Sequence, residues 1–557
     1  MLRQRRTAAP GVFAHHTRRQ GQNEGNARLP EEFSQRRPYN AVTDFVDANV
    51  ARGLGGKVAF TDPDRALTYS ELQARTNRFA RALQALGLRQ ENRLALVLYD
   101  TIDFPVAFWG AIRAGIVAVP VNTLLTLEQY AYVLSDSRAA AVVVTAALAQ
   151  PILSIRHRLP HLREVIIVGA SGNDRAALRN VHHFEDLLAR EEPQPFTAAT
   201  VSDEVAFWLY SSGSTGEPKG VKHVHLSLMA TARLMGQSVL GIAEDDVVFS
   251  AAKLFFAYGL GNAMSFPLSV GASTVLSPLR PTPETVLDVM CRHRPTIFYA
   301  VPSLYASLLA HEDLRASAGS ERLRLCVSAG EALPRELGER WRATVGVDIL
   351  DGIGSTEMLQ TFLSNRPGDV RYGSAGKPVP GYEARIVDEN GCDLPAGEIG
   401  ELIVRGPSAG EAYWNQRAKS RRTFAGEWTY TGDKFMRDPD GYYHYSGRTD
   451  DMFKVSGMWV SPFEIEAALV SHEAILEAAV IGKEDADGIV KPKAFVVLKN
   501  GYSPDERFFE TIKSHVKERA GPWKFPRWID IRPDLPRTAT GKIQRFKLRE
   551  EEGGTVP

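Results

Sequence analysis

The sequence predicts an α/β protein. A large N-terminal part of several subdomains carries parallel-rich sheets, and a small α+β unit closes the chain. Three observations predict this. The 557 residues, 44% of them hydrophobic, exceed what one ordinary core needs, so more than one domain is expected. Short apolar, β-branched runs alternate with helical stretches through most of the chain, the βαβ rhythm of a parallel sheet. That rhythm breaks at the polar, turn-like Gly447-Arg448-Thr449-Asp450-Asp451, after which helix, strands and a basic end form a compact unit.

In chain order, residues 1–37 read as a disordered tail. Arg3, Arg5, Arg6, Arg18 and Arg19 stand there without an acidic neighbour up to residue 23. The charge resembles that of an organelle-import peptide, but serine and an apolar segment are missing. The large domain then runs over 38–449 and the small one over 450–557. Ser70 to Gln73 reads as a capping box, and Leu72, Phe79, Leu83 and Leu86 recur at helical spacing until Gly87 ends the helix. Leu94–Tyr99 reads as a strand, Phe104–Arg113 as a helix and Ile116–Val121 as the next strand. Further strands are expected at Ala141–Thr145, Val165–Val168, Val205–Tyr210, Val247–Ser250, Thr296–Val301 and Leu323–Ser328.

Composition excludes several classes. The 66 basic residues balance 66 acidic ones, so no overall cationic field draws the chain to nucleic acid or an anionic membrane. The most apolar early stretch, Phe104 to Val121, is broken by Arg113, whereas a membrane span needs roughly 20 apolar residues. Cys291, Cys326 and Cys392 are too scattered for a disulfide framework or a zinc site, which fits the cytoplasm.

The chemistry concentrates after the strand Val205-Ala206-Phe207-Trp208-Leu209-Tyr210. It runs into Ser211-Ser212-Gly213-Ser214-Thr215-Gly216-Glu217-Pro218-Lys219-Gly220. Glycines let a backbone approach an anion, hydroxyls add donors and Lys219 adds charge, so the segment suits phosphate. It is not a Walker loop, because Lys219 follows Pro218 and precedes Gly220.

This loop closely resembles the signature of the adenylate-forming enzymes, the superfamily of acyl-CoA synthetases, luciferases and peptide-synthetase adenylation domains. Further segments resemble that family's other signatures. In Asp351-Gly352-Ile353-Gly354-Ser355-Thr356-Glu357 the resemblance implies that Thr356 contacts the α-phosphate and Glu357 holds Mg²⁺. Ile353 departs from the family, which usually has an aromatic residue there to stack on adenine. Gly330-Glu331-Ala332 resembles the segment on adenine's other side. Trp428-Thr429-Tyr430-Thr431-Gly432-Asp433 resembles the ribose-binding motif, which makes Asp433 the ribose ligand, with Arg448 matching a residue that meets ribose or phosphate. Pro536-Arg537-Thr538-Ala539-Thr540-Gly541-Lys542 resembles the mobile lysine loop, so Lys542 is the expected catalytic residue. Physically, one ammonium between a carboxylate and a phosphoryl group draws two anions together. Asp450 matches the family hinge, about which the small domain rotates to bring Ser456 and Gly457 beside the pantetheine of coenzyme A.

From about Tyr39 onward the chain resembles the benzoate–CoA ligase branch. Lys253-Leu254-Phe255-Phe256-Ala257-Tyr258-Gly259-Leu260-Gly261 occupies the acyl-pocket position. A flat aryl ring suits a slot walled by Phe256 and Tyr258, floored by Ala257 and joined by Thr361, with Ala332 and Gly354 opposite. No charged partner for a ring substituent stands in this stripe, which leaves benzoate, hydroxybenzoates and fluorobenzoates. The implied reaction joins an aromatic acid to CoA at the expense of ATP, with Mg²⁺, in a monomer or homodimer.

Competing readings are weaker. Gly406-Pro407-Ser408-Ala409-Gly410 follows Leu402-Ile403-Val404 and matches a serine-hydrolase elbow, with Asp433 and His444 downstream, but a hydrolase leaves the other motifs unexplained. Gly259-Leu260-Gly261 lacks the third glycine of a dinucleotide fingerprint. His223 and His225, two apart on an expected strand, read as structural because no third metal ligand is near. A degenerate ATP-binding homologue is disfavoured because Lys219, Thr356, Glu357, Asp433, Arg448 and Lys542 are all present. An enzyme loading a carrier protein is disfavoured because nothing carrier-like follows Lys542.

Overall fold

The computed structural model describes residue 33 and residues 35–553, except 173–174, 176–177, 212–216, 450, 456–457, 486–488, 500, 503, 505, 522–523 and 538–542. Among them a seven-stranded and a nine-stranded sheet organise the large domain. Both are parallel through their centres and antiparallel at one or both edges. The seven-stranded sheet runs His182–His183, Glu164–Val168, Ala141–Thr145, Arg93–Val97, Val117–Pro120, Val205–Ser211, Lys219–Val224. The nine-stranded sheet centres on Val247–Ser250, Ile297–Ala300, Leu325–Ser328 and Ile349–Gly354. Strands covered on both faces need unbroken apolar runs, and Ile297–Ala300, Leu325–Ser328 and Val117–Pro120 are buried at every position.

The expected strands all form, within two residues of the bounds read from sequence. The expected helix over 70–87 also forms, as Tyr69–Ala85, but its capping box is Thr68 with Glu71 and not Ser70 with Gln73. Thr68 is the last residue with extended backbone (φ −76°, ψ 163°), and its hydroxyl accepts from Glu71 N, whereas Ser70 is already helical. Within the expected tail, Phe33 and residues 35–37 are described and make contacts. Phe33 is buried, and Arg37 exchanges backbone and side-chain hydrogen bonds with Ser202.

A third, antiparallel sheet pairs Trp428–Arg437 with Ile399–Arg405 and Tyr443–Arg448. Beyond it, the small unit packs helices Pro462–Val470 and Glu506–Ala520 on the sheet Ile475–Glu484, Val490–Leu498, Trp528–Ile531. Two strand ends position the site. Val205–Ser211 of one large sheet runs into the glycine-rich loop, and Ile349–Gly354 of the other runs into Ser355-Thr356-Glu357. Ligands of open parallel sheets bind outside such carboxyl ends.

Candidate active site

The two strand ends converge on Glu357. Ser211 Oγ lies 3.5 Å from its Oε1, and the Tyr413 hydroxyl donates to the same oxygen at 2.7 Å. Lys219 Nζ stands 5.0 Å from the centre of the Tyr413 ring. Thr356 is held through its carbonyl, to which the His223 Nε2–H donates at 2.8 Å. A carbonyl only accepts, so this bond sets the His223 tautomer. Stacking on Phe207, with ring centres 5.2 Å apart, helps fix the imidazole, and burial pushes its pKa down to about 4. His223 and His225 do not share a strand face as expected. His225 opens the helix His225–Thr231 and accepts from Ala41 N at 3.2 Å. No group of three or more metal-ligating residues occurs among the described residues.

Asp351 is buried with Oδ2 accepting from Leu333 N at 3.3 Å, which ties the expected adenine segment Gly330-Glu331-Ala332 to Gly352, Ile353 and Gly354. Burial pushes its carboxyl up to about 8. Ile353 keeps part of its aliphatic face exposed. Asp433 and Arg448 face each other across paired strands, 3.2 Å apart, and the charge of Arg448 is felt at Tyr413.

The acyl segment forms the other wall. Phe256 stands at the N-cap of the short helix Ala257–Leu260, and the partly buried Tyr258 donates to Val327 O at 3.1 Å, near the end of a central strand. Gln360 locks this wall in place. Its amide N–H groups reach Tyr258 O at 3.1 Å and Ala257 O at 3.3 Å, while its Oε1 accepts from Thr361 N and Oγ1. Behind the segment, both oxygens of buried Asp100 take the Leu254 N–H, and Lys253 Nζ donates to Leu279 O at 2.7 Å.

Sequence reading missed Gln360, Asp100 and Tyr413. All three act through main-chain or single-atom contacts that carry no spacing signal. The hydrolase alternative finds no support. Ser408 is fully buried and donates to Met358 O at 2.7 Å, and His444 bonds to Asp438, not to Asp433. Ser212, Gly213, Ser214, Thr215, Gly216, Asp450, Ser456, Gly457 and Lys542 lie outside the described residues.

The fold that brings these segments together has its counterpart in a known family. Residues 47–414 match the model of the AMP-binding enzymes, and residues 464–542 match the model of the AMP-binding enzyme C-terminal domain. The chain belongs to the AMP-binding enzyme family. A relative named 4-hydroxybenzoate–CoA/benzoate–CoA ligase, from Rhodopseudomonas palustris, is 55% identical over 93% of this chain and 95% of its own. One named benzoate–CoA ligase, from Thauera aromatica, is 52% identical over 92% of this chain and 96% of its own. Among solved structures, a benzoate CoA ligase from Burkholderia xenovorans superimposes with a TM-score of 0.84 at 50% identity, covering 92% of this chain and all of that one. The large N-terminal and small C-terminal domains of this AMP-binding enzyme thus follow a known two-domain architecture.

Proposed function

We propose that this AMP-binding enzyme is a benzoate–CoA ligase, which forms benzoyl-CoA, AMP and diphosphate from benzoate, ATP and CoA through a benzoyl-adenylate. Resemblance to ligases of that name over nearly the whole chain carries the reading, and the aromatic wall around Tyr258 supports it.

In the first step a benzoate oxygen attacks the α-phosphorus, and diphosphate leaves. Lys219 and the 211–216 hydroxyls and amides bind the phosphates. The Thr356 hydroxyl donates to an α-phosphoryl oxygen as charge grows there, and Lys542 bridges the carboxylate and that phosphate. Asp433 accepts from the ribose hydroxyls beside Arg448, and adenine packs between Ile353 and the Gly330-Glu331-Ala332 segment. Mg²⁺ fits this site, because one carboxylate among hydroxyls, facing phosphate, is the sparse oxygen set that ion takes. When bound it supplies charge neutralisation. Glu357 would hold it.

In the second step the thiol sulfur of CoA attacks the carbonyl carbon, and AMP leaves with the bonding pair. The small domain, 450–557, turns about Asp450 against the large domain, 38–449, which withdraws Lys542 and brings Ser456 and Gly457 beside the pantetheine. The enzyme works in the cytoplasm as a monomer or homodimer. Among the described residues no helix is long and apolar enough to cross a membrane.

The test is CoA-dependent AMP release over benzoate, 4-hydroxybenzoate, cyclohexanecarboxylate, hexanoate and palmitate. Benzoate is expected to give the highest kcat/KM. Preference for palmitate overturns the aryl reading, and AMP release only with a phosphopantetheinyl carrier protein overturns CoA as acceptor.

A further inference from the structure

Three segments distant in sequence meet at Tyr413. Residues 410–414 run beside the strand Lys219–Val224, with Lys222 N donating to Ala412 O at 3.0 Å, Glu411 N to Lys222 O at 2.9 Å and Trp414 N to Gly220 O at 2.8 Å. Gly410 N donates to the Glu357 carbonyl at 2.7 Å. A Cβ on Gly410 would run into Val221 and crowd that carbonyl, so only glycine allows the approach. Trp414 anchors the far end, packed at a tilt against Trp208 with ring centres 4.7 Å apart and its Nε1–H donating to Asp136 O at 2.9 Å. Tyr413 itself is only 5% exposed, and its ring packs against Phe424.

The phenol of Tyr413 donates to Glu357 Oε1 at 2.7 Å, and the Lys219 ammonium sits 5.0 Å from its ring centre. A phenol hydroxyl beside a carboxylate is the donor of the pair. One side chain thus touches both an expected metal ligand and an expected phosphate ligand. Its backbone is fixed by the strand that carries the phosphate ligand.

We propose that Tyr413 is a positioning residue for adenylation. Its hydroxyl holds the Glu357 carboxylate by Oε1 and leaves Oε2 for the divalent cation that accompanies ATP, while its ring seats the Lys219 ammonium toward the phosphates. The inference rests on the adenylation reading above. It differs from a packing role, because Tyr413→Phe keeps the ring and removes one donor.

The experiment measures Mn²⁺ binding by electron paramagnetic resonance, using wild type and Tyr413→Phe saturated with α,β-methylene-ATP, which cannot release diphosphate. The Mn²⁺ Kd of the variant is expected to rise about ten-fold, equivalent to ~1.4 kcal/mol. Its thermal midpoint and its affinity for the nucleotide without metal should match wild type. Excess Mg²⁺ should restore its adenylation rate. Tyr413→Leu, which also removes the ring, is expected to weaken metal-free nucleotide binding as well. An unchanged Mn²⁺ Kd in Tyr413→Phe overturns the proposal. So does a thermal midpoint lowered in step with metal affinity, which would mark the hydroxyl as merely structural. If wild type binds no Mn²⁺ in the presence of the analogue, the adenylation reading itself fails.

Discussion

The nucleotide side and the acyl side of the site are built in opposite ways. Around Glu357, polar side chains from three segments reach into one place, and Ser211, Tyr413 and His223 each hold a reacting group by a single contact. Around Tyr258 the reverse holds. The wall is a buried aromatic hydroxyl against a strand end, and Gln360 fastens it through main-chain carbonyls. Charge chemistry tolerates little variation in residue type, since phosphate and a divalent cation demand particular donors. A surface that only has to fit a ring can be reached by many packings.

The contrast is broken most sharply at Glu357. Glu357→Ala is expected to slow benzoyl-adenylate formation by roughly 10²–10³-fold, the order seen for losing one transition-state group, with benzoate KM nearly unchanged. Diphosphate-exchange kinetics measure both. A matching rise in benzoate KM would show that the two sides are not separate.

The acyl side answers with a binding effect. Gln360→Ala removes the side-chain donor shared by the Ala257 and Tyr258 carbonyls, which keep only the Gly261 N–H, and is expected to raise benzoate KM about ten-fold while ATP KM stays put. Initial-rate kinetics with each substrate varied in turn check it. Loss of kcat alone would assign Gln360 to the chemistry.

The smallest effect concerns pH. The buried Asp351 carboxyl, up from 3.8 to about 8, keeps a proton that the unfolded chain has lost, so stability falls as pH rises from about 4 to about 8. Buried His223, down from 6.5 to about 4, works the other way and removes stability as pH drops through that window. Between pH 6.5 and 8 only the Asp351 effect remains of the two, at most about 2 kcal/mol. Asp351→Asn is expected to abolish that decline, read as thermal midpoints at the two pH values. A decline of the same size in the variant would refute the assignment.

Much of this was legible in the chain. Every strand singled out by a short apolar run forms, because strands buried on both faces need nearly unbroken apolar residues, aliphatic and aromatic alike. The glycine-rich loop, the Thr356-Glu357 turn and the Asp433 segment stood out by residue type, and their roles toward ATP belong to the proposal above. The helix cap was misplaced by two residues, since Ser70 and Thr68 offer the same motif and only backbone geometry chooses between them. His223 looked like one of a strand pair. Its partner in fact begins a helix, and only the folded sheet puts its ring beneath Thr356.

By itself, then, the sequence determined the two-domain α/β architecture and singled out the groups proposed to meet ATP, because periodic burial and ionic ligands both constrain residue identity locally. Only the tertiary structure decided how those groups are held. Tyr413 and Glu357, Gln360 and Ala257, and His223 and Thr356 are separated by 56, 103 and 133 positions, and each pair joins through one hydrogen bond. A contact of that kind leaves no period or spacing in the chain. It exists only once two sheets bring their strand ends together.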